Sequence, residues 1–171
     1  MILVLSGSAA TGKTSLAMAL AEQRPDIERV ITHTTRATRP GEVDGEHYHF
    51  VSRVFFRSHI FPEKSYIPPF NVNGSWYGIF QYNYQRMEYA RPHQVIVLAE
   101  DGALQVREDF PDVICAYILS NQTESRLAER GEIQGVSQDI TIPSWYDPIL
   151  VNDDFDGTVA KLSELLPNKE T

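Results

Sequence analysis

The chain has 171 residues, of which 42% are hydrophobic and 22% charged, with a formal net charge of −8. This length suits one ordinary domain, and the composition excludes a collagen-like or low-complexity chain. The single Cys115 excludes a disulfide framework, and no apolar run reaches the roughly 18–20 residues of a membrane span. The short apolar start lacks the basic flank of a signal peptide. We therefore expect a cytoplasmic protein with no membrane partner, and the acidic balance argues against nucleic acid as a partner.

Short apolar segments alternate with helical ones along the chain. The first segment, residues 2–6, ends at a glycine and is typical of a buried parallel strand, and residues 14–23 are good helix formers. Further strands are predicted at 29–32, 95–99, 113–119 and 149–151, and further helices at 102–109, 122–130 and 155–166. This alternation predicts an α/β fold with a parallel central sheet and helices on both faces. Residues 36–93 are rich in aromatic residues, Pro and Gly, which predicts an insertion of short strands and loops.

A phosphate-binding loop follows the first strand. Residues 7–14 match the pattern G-x-x-x-x-G-K-[ST] at every fixed position, between a predicted strand and a predicted helix. Backbone N–H groups of such a loop surround phosphate oxygens, Lys13 supplies a positive charge, and Thr14 offers a hydroxyl to Mg²⁺. The predicted ATP-binding residues are Gly7, Ser8, Ala9, Ala10, Thr11, Gly12, Lys13, Thr14 and Ser15. The loop indicates a nucleotide but does not identify the reaction.

The segment after the second strand resembles the guanylate kinase family. Residues 34–50 match the family pattern T-T-R-x-x-R-x-G-E-x-x-G-x-x-Y-x-F. Three further motifs are similar to those of the family: G-S-W-Y-G at 74–78, R-L-A-E-R-G at 126–131 and V-N-D-D at 151–154. The resemblance runs in order through nearly the whole chain. It implies a P-loop three-layer fold with a small mixed β insertion that binds the nucleoside monophosphate, and a short lid.

The resemblance also implies a reaction and roles for named residues. The reaction would be phosphoryl transfer from ATP, with Mg²⁺ as cofactor, to a nucleoside monophosphate such as GMP or dGMP, in a monomer or homodimer. The single domain would comprise a core (1–33, 94–124, 144–171), a monophosphate-binding region (34–93) and a lid (125–143). Lys13, Arg126 and Arg130 would be catalytic, and Asn152 would contact adenine. The substrate-binding residues would be Thr32 near the base, with Arg36, Arg39, Tyr48 and Tyr77 at the acceptor phosphate.

Three departures from the family pattern concern the base, the metal and the lid. Pro68 stands where the family carries a base-reading Glu, although Glu63 is a possible substitute. Ala99 stands where the family carries an Asp that orders the water shell of the metal. Two alternatives follow: Glu100 or Asp101 takes over the role of that Asp, or both are solvated acids at a helix start. Residues 132–143 contain no basic residue, so one lid arginine is missing. We expect an altered base preference or a slow enzyme.

Two other functions remain open alongside the nucleoside monophosphate kinase. One is a kinase for another phosphorylated small molecule or nucleotide. The other is a non-catalytic module that binds a phosphorylated peptide through the same clamp. His47 and His49 are predicted to face one side of a strand, but two ligands do not make a metal site. Trp145 and Tyr146 are predicted to pack against the shortened lid.

Overall fold

The structure, a computed structural model, describes residues 1–59, 69–72, 74–79, 93–129 and 141–167. Its strands are β1 (Ile2–Ser6), β2 (Ile27–Val30), β3 (His33–Thr34), β4 (His49–Phe50), β5 (Phe70–Val72), β6 (Ser75–Gly78), β7 (His93–Val97), β8 (Ile114–Leu119) and β9 (Ile149–Val151). Its helices are α1 (Lys13–Gln23), α2 (Arg53–His59), α3 (Glu100–Asp109), α4 (Thr123–Glu129) and α5 (Phe155–Glu164). None of these helices is both long and apolar enough to cross a membrane.

The central sheet has five strands in the order β2-β7-β1-β8-β9, and all of its pairings are parallel. Strand β1 lies in the middle, so its carboxyl end carries the phosphate-binding loop at the centre of the sheet edge. Its side chains alternate between two faces: Leu3 and Leu5 pack with α1 and α5, whereas Ile2 and Val4 pack with α3. The predicted parallel α/β fold is confirmed.

A second, mixed sheet has the order β4-β3-β6-β5. Strand β3 pairs parallel with β4 and antiparallel with β6, and β5 pairs antiparallel with β6. The chain enters this sheet directly after β2, because the main chain of Thr32 accepts the hydrogen bond of the His49 N–H, at 2.9 Å. The predicted strand 29–32 is therefore shifted: β2 ends at Val30, two residues earlier.

Helix α2 was not predicted, since the sequence indicated short strands and loops there. Its start has a recognisable signal in Ser52, whose hydroxyl accepts the N–H of Phe55 at 3.1 Å in the manner of an N-cap. Phe56 anchors the helix and is fully buried, whereas its neighbour Val54 is 78% exposed. Because the whole region is rich in aromatic residues, composition alone did not identify Phe56 as the buried position of this helix.

Candidate active site

The loop between β1 and α1 depends on an unusual backbone path. Gly7 and Gly12 have φ angles of +138° and +90°, and Ala10 between them has φ +60°. A β-carbon at Gly7 would lie 2.2 Å from the carbonyl oxygen of Ile118 on the neighbouring strand β8. A side chain is therefore excluded at Gly7 by both backbone strain and lack of space. Helix α1 begins at Lys13, one residue earlier than predicted, so its amino end faces the loop.

Side chains donate hydrogen bonds to several carbonyl oxygens of this loop. The hydroxyl of Thr11 and the ammonium of Lys13 both donate to the Ser8 carbonyl. The Asn152 amide donates to the Thr11 carbonyl at 2.8 Å, and Nη1 of Arg126 donates to the Ala10 carbonyl at 3.3 Å. Carbonyl oxygens engaged in this way do not oppose the charge of an anion, which such loops bind through N–H groups. Arg126 and Asn152, far apart in sequence, thus both lie against the loop.

An arginine clamp lies in the loop after β3. The guanidinium of Arg36 donates through two nitrogens to the two carboxylate oxygens of Glu42, at 2.9 and 2.7 Å. The same carboxylate accepts the main-chain N–H of Arg39 at 2.8 Å, so it fixes both predicted phosphate-binding arginines. Burial disfavours the charged forms of Arg36 and Glu42, but their hydrogen bonds outweigh it. The pKa of Glu42 is therefore lowered and that of Arg36 raised.

Two tyrosines complete this clamp. The Tyr48 and Tyr77 rings meet edge to face with centroids 6.0 Å apart, and the Arg36 guanidinium lies 5.5 Å from the Tyr48 ring centroid. Burial raises the pKa of the Tyr48 hydroxyl, while a hydrogen bond with the Thr14 side chain opposes that rise. Thr14 is in the first turn of α1, which directly follows the phosphate-binding loop.

The base-binding prediction is only partly covered by the described residues. Thr32 is 7% exposed and lies at the passage from the central sheet to the mixed sheet. Beside it, the rings of His33 and His49 have centroids 4.7 Å apart, and burial together with the nearby His49 lowers the pKa of His33 to about 4. Pro68, Glu63 and Arg130 lie outside the described residues.

The acidic residues after β7 occupy a helix start. Ala99 is the N-cap of α3, and Glu100 and Asp101 form the first turn with exposed side chains. This position suits carboxylates for local reasons alone, since a helix amino end favours negative charge. Among the described residues, no three His, Cys, Asp or Glu side chains cluster as metal ligands. His47 lies outside β4, so it does not share a strand with His49. Its ring accepts a hydrogen bond from the N–H of Val43.

Trp145 and Tyr146 pack on the central sheet. Tyr146 is 3% exposed and meets the Tyr117 ring of β8 edge to face, with centroids 5.0 Å apart. Trp145 stacks on Tyr146, and the guanidinium of Arg107 from α3 lies over its indole ring. The same core cluster includes Ile142 from the end of the predicted lid. Residues 130–140 of the lid lie outside the described residues, so packing of Trp145 and Tyr146 against the lid stays a prediction.

Comparison with known proteins decides the family. The family model described as guanylate kinase matches residues 1–169. The chain belongs to the guanylate kinase family. Guanylate kinases of Shewanella denitrificans and Alkalilimnicola ehrlichii are 33% and 34% identical to it, over 96% and 95% of this chain and 86% and 85% of theirs. The crystal structure of guanylate kinase from Anaplasma phagocytophilum superposes with a TM-score of 0.74 at 27% identity, covering 96% of this chain and 83% of that one.

Family membership makes the chain a nucleoside monophosphate kinase, as the motifs at 7–14 and 34–50 indicated. The structure brings the predicted residues Arg36, Tyr48 and Tyr77 together. Sequence reasoning gave no role to Glu42, although it stands in the family pattern. A carboxylate three residues after Arg39 and six after Arg36 was the available signal, because it can pair with either arginine across a tight turn.

Proposed function

We propose that the protein transfers the γ-phosphoryl group of ATP to the phosphate of GMP or dGMP. The observation that carries this proposal is the Glu42 carboxylate, which holds the Arg36 guanidinium by two hydrogen bonds and the Arg39 main chain by a third. A chain that has this clamp as well as a phosphate-binding loop suits direct transfer between two phosphates. In such a transfer the protein supplies positioning and positive charge rather than covalent chemistry.

Each site has its own group of residues in this proposal. The loop residues Gly7 to Ser15 bind the ATP phosphates, with Lys13 as the charge that stabilises the moving phosphoryl group. Arg36, Arg39, Tyr48 and Tyr77 hold the acceptor phosphate, and Thr32 lies near the base. Arg126 extends from α4 to the loop and adds a further cation beside the ATP phosphates; Arg130 is the second lid cation.

Magnesium fits this site through Thr14. The residue stands at the start of α1, directly after Lys13, where a threonine hydroxyl in this type of loop binds the ion. When bound, Mg²⁺ neutralises charge on the ATP phosphates. Glu100 and Asp101 are candidates for its water shell in place of the Asp that Ala99 replaces. Their exposure in the first turn of α3 leaves both side chains accessible.

A kinase for a different phosphorylated acceptor is the second candidate. Two features favour it. Pro68 lacks the side-chain acceptor of the family's base-reading Glu. The residues proposed to bind the acceptor phosphate are all present, with Arg36 and Arg39 held by Glu42. A site that lacks a matched polar group can lose several orders of magnitude of base discrimination, by about 10⁴-fold in strong cases. This candidate differs from the first only in the acceptor.

The test is ADP release by purified protein with ATP·Mg²⁺ and a panel of nucleoside monophosphates. We expect turnover with GMP or dGMP that exceeds a Lys13→Ala control. Turnover with another monophosphate and none with GMP or dGMP would favour the second candidate. No turnover above the control with any monophosphate would overturn both.

A further inference from the structure

Asn152 lies against the phosphate-binding loop in a way that an adenine contact does not require. The residue is 2% exposed, and its side-chain nitrogen donates to the Thr11 carbonyl at 2.8 Å. Its own N–H donates to the Leu119 carbonyl at 2.8 Å, so the backbone is fixed to the end of β8. A buried amide with its donor committed and its backbone fixed is a rigid support for the loop.

The same side chain also packs on the glycine that ends the loop. A β-carbon built at Gly12 would lie 2.5 Å from the Asn152 nitrogen, so this amide fills the space above a residue with φ +90°. Directly after Gly12, helix α1 begins with Lys13 and Thr14. A shift of Asn152 would therefore act on the Thr11–Gly12 peptide, whose orientation decides how the loop meets a phosphate.

The two acidic residues that follow Asn152 in the V-N-D-D segment have structural roles that differ from that of Asn152. Asp153 accepts the Asn121 N–H at 3.0 Å, and Asp154 caps α5 by accepting the Gly157 N–H. Each of these carboxylates serves local structure at its own end of the turn, and only Asn152 points to the loop. The Oδ1 atom of Asn152 is buried without a hydrogen-bond partner, so the hydrogen bonds of this side chain that the structure shows come from its nitrogen, toward the loop.

We propose that Asn152 is a positioning residue that fixes the Thr11 carbonyl and thereby shapes the loop for polyphosphate, so that its effect is independent of the base. This inference rests on the proposed function only in taking the loop as the ATP site. It differs from a contact with adenine in one measurable respect, because a loop support affects every ligand with the same phosphates.

The test is calorimetric binding of three probes, each with Mg²⁺, to the full chain: ATP, GTP and inorganic tripolyphosphate. We expect Asn152→Ala to weaken all three by the same factor, about tenfold for one lost hydrogen bond, and to leave GMP binding unchanged. Asn121→Ala is the matched control, since it removes an exposed amide that donates to Asp153 and does not touch the loop. The control should bind every probe as the parent protein does.

Several outcomes would overturn this role for Asn152. They are a loss confined to ATP, no loss with any probe, equal weakening of GMP, or a parent protein that binds ATP but neither of the other two. Circular dichroism of Asn152→Ala guards against a misfolded variant, because a folded variant keeps the spectrum of the parent protein. Binding without transfer to GMP would instead contradict the proposed function alone.

Discussion

The two proposed phosphate sites are held together by different kinds of interaction. The ATP loop is held by backbone geometry and by side-chain donors to its carbonyl oxygens, including the neutral amide of Asn152. The acceptor clamp is held by the ion pair of Arg36 and Glu42, with tyrosine rings around it. We therefore expect ATP affinity to respond most to changes in the shape of the loop, and affinity for the acceptor to respond most to changes in charge.

Loss of Lys13 removes the charge that the loop itself supplies at the transferred group, and it should have the largest effect. We expect Lys13→Ala to lower the turnover number with GMP by about 10³-fold or more, because a cation that stabilises the transition state is removed. Initial rates of ADP release measure this. Lys161→Ala, on the exposed side of α5, should retain the parent rate; a tenfold loss or less in Lys13→Ala would contradict the role.

A change of shape at Gly12 should weaken ATP by about 10²-fold. In Gly12→Ala the new β-carbon would lie 2.5 Å from the Asn152 nitrogen, and the alanine would have to keep a φ of +90°. Crowding and backbone strain together destabilise the loop by about 3 kcal/mol. Gly45→Ala is a matched control with φ +78° and open space around the β-carbon. ADP titration measures both variants, and Gly45→Ala, a strained substitution outside the loop, should keep the parent affinity. Equal losses would show that the effect does not come from the loop.

A change of charge at Glu42 should act on the acceptor alone. Glu42→Gln keeps the size but leaves the Arg36 guanidinium without its carboxylate, so we expect KM for GMP to rise about tenfold while ADP affinity is unchanged. Glu46→Gln, on the exposed turn nearby, is the control and should leave both constants unaltered. Weaker ADP binding in Glu42→Gln would show that the two sites are not separable.

Mild acid should destabilise the protein through His33, next to the acceptor region. Its folded pKa is lowered to about 4, so the unfolded chain binds more protons between that value and about 6.5, and stability falls as pH decreases through this window. We expect the free energy of unfolding to fall by about 1 kcal/mol from pH 7 to 5.5. Urea unfolding at both pH values should show a smaller fall in His33→Asn than in the control His59→Gln.

Much of the fold follows from the sequence because its signals are local. The apolar run of β1 and the glycines at positions 7 and 12 define a strand, a tight loop and a helix within a few residues. The shifted bounds of β2 and the unpredicted α2 depend on where the mixed sheet begins and on one buried phenylalanine. Such features are set by tertiary contacts rather than by local pattern.

The site was predictable to a lesser degree. Motif positions such as Arg36 and Tyr48 were identified from the resemblance to the family pattern, but the carboxylate of Glu42 acts through side-chain geometry that the pattern does not specify. Asn152 lies 141 residues from the carbonyl that it binds, and the parallel pairings of β1 with β8 and of β8 with β9 bring the two together. Partners of this kind emerge only when the chain is folded.

Calorimetry of Arg39→Ala tests the independence of the two sites most directly. Glu42 fixes the backbone of Arg39, and Arg39→Ala keeps those hydrogen bonds while removing the guanidinium that we propose binds the acceptor phosphate. Binding of GMP and of ADP is measured separately on the same preparation. We predict that GMP binds at least tenfold more weakly, while ADP affinity stays within about twofold of the parent value. Equal weakening of both ligands would contradict the assignment of Arg39 and the separation of the two sites.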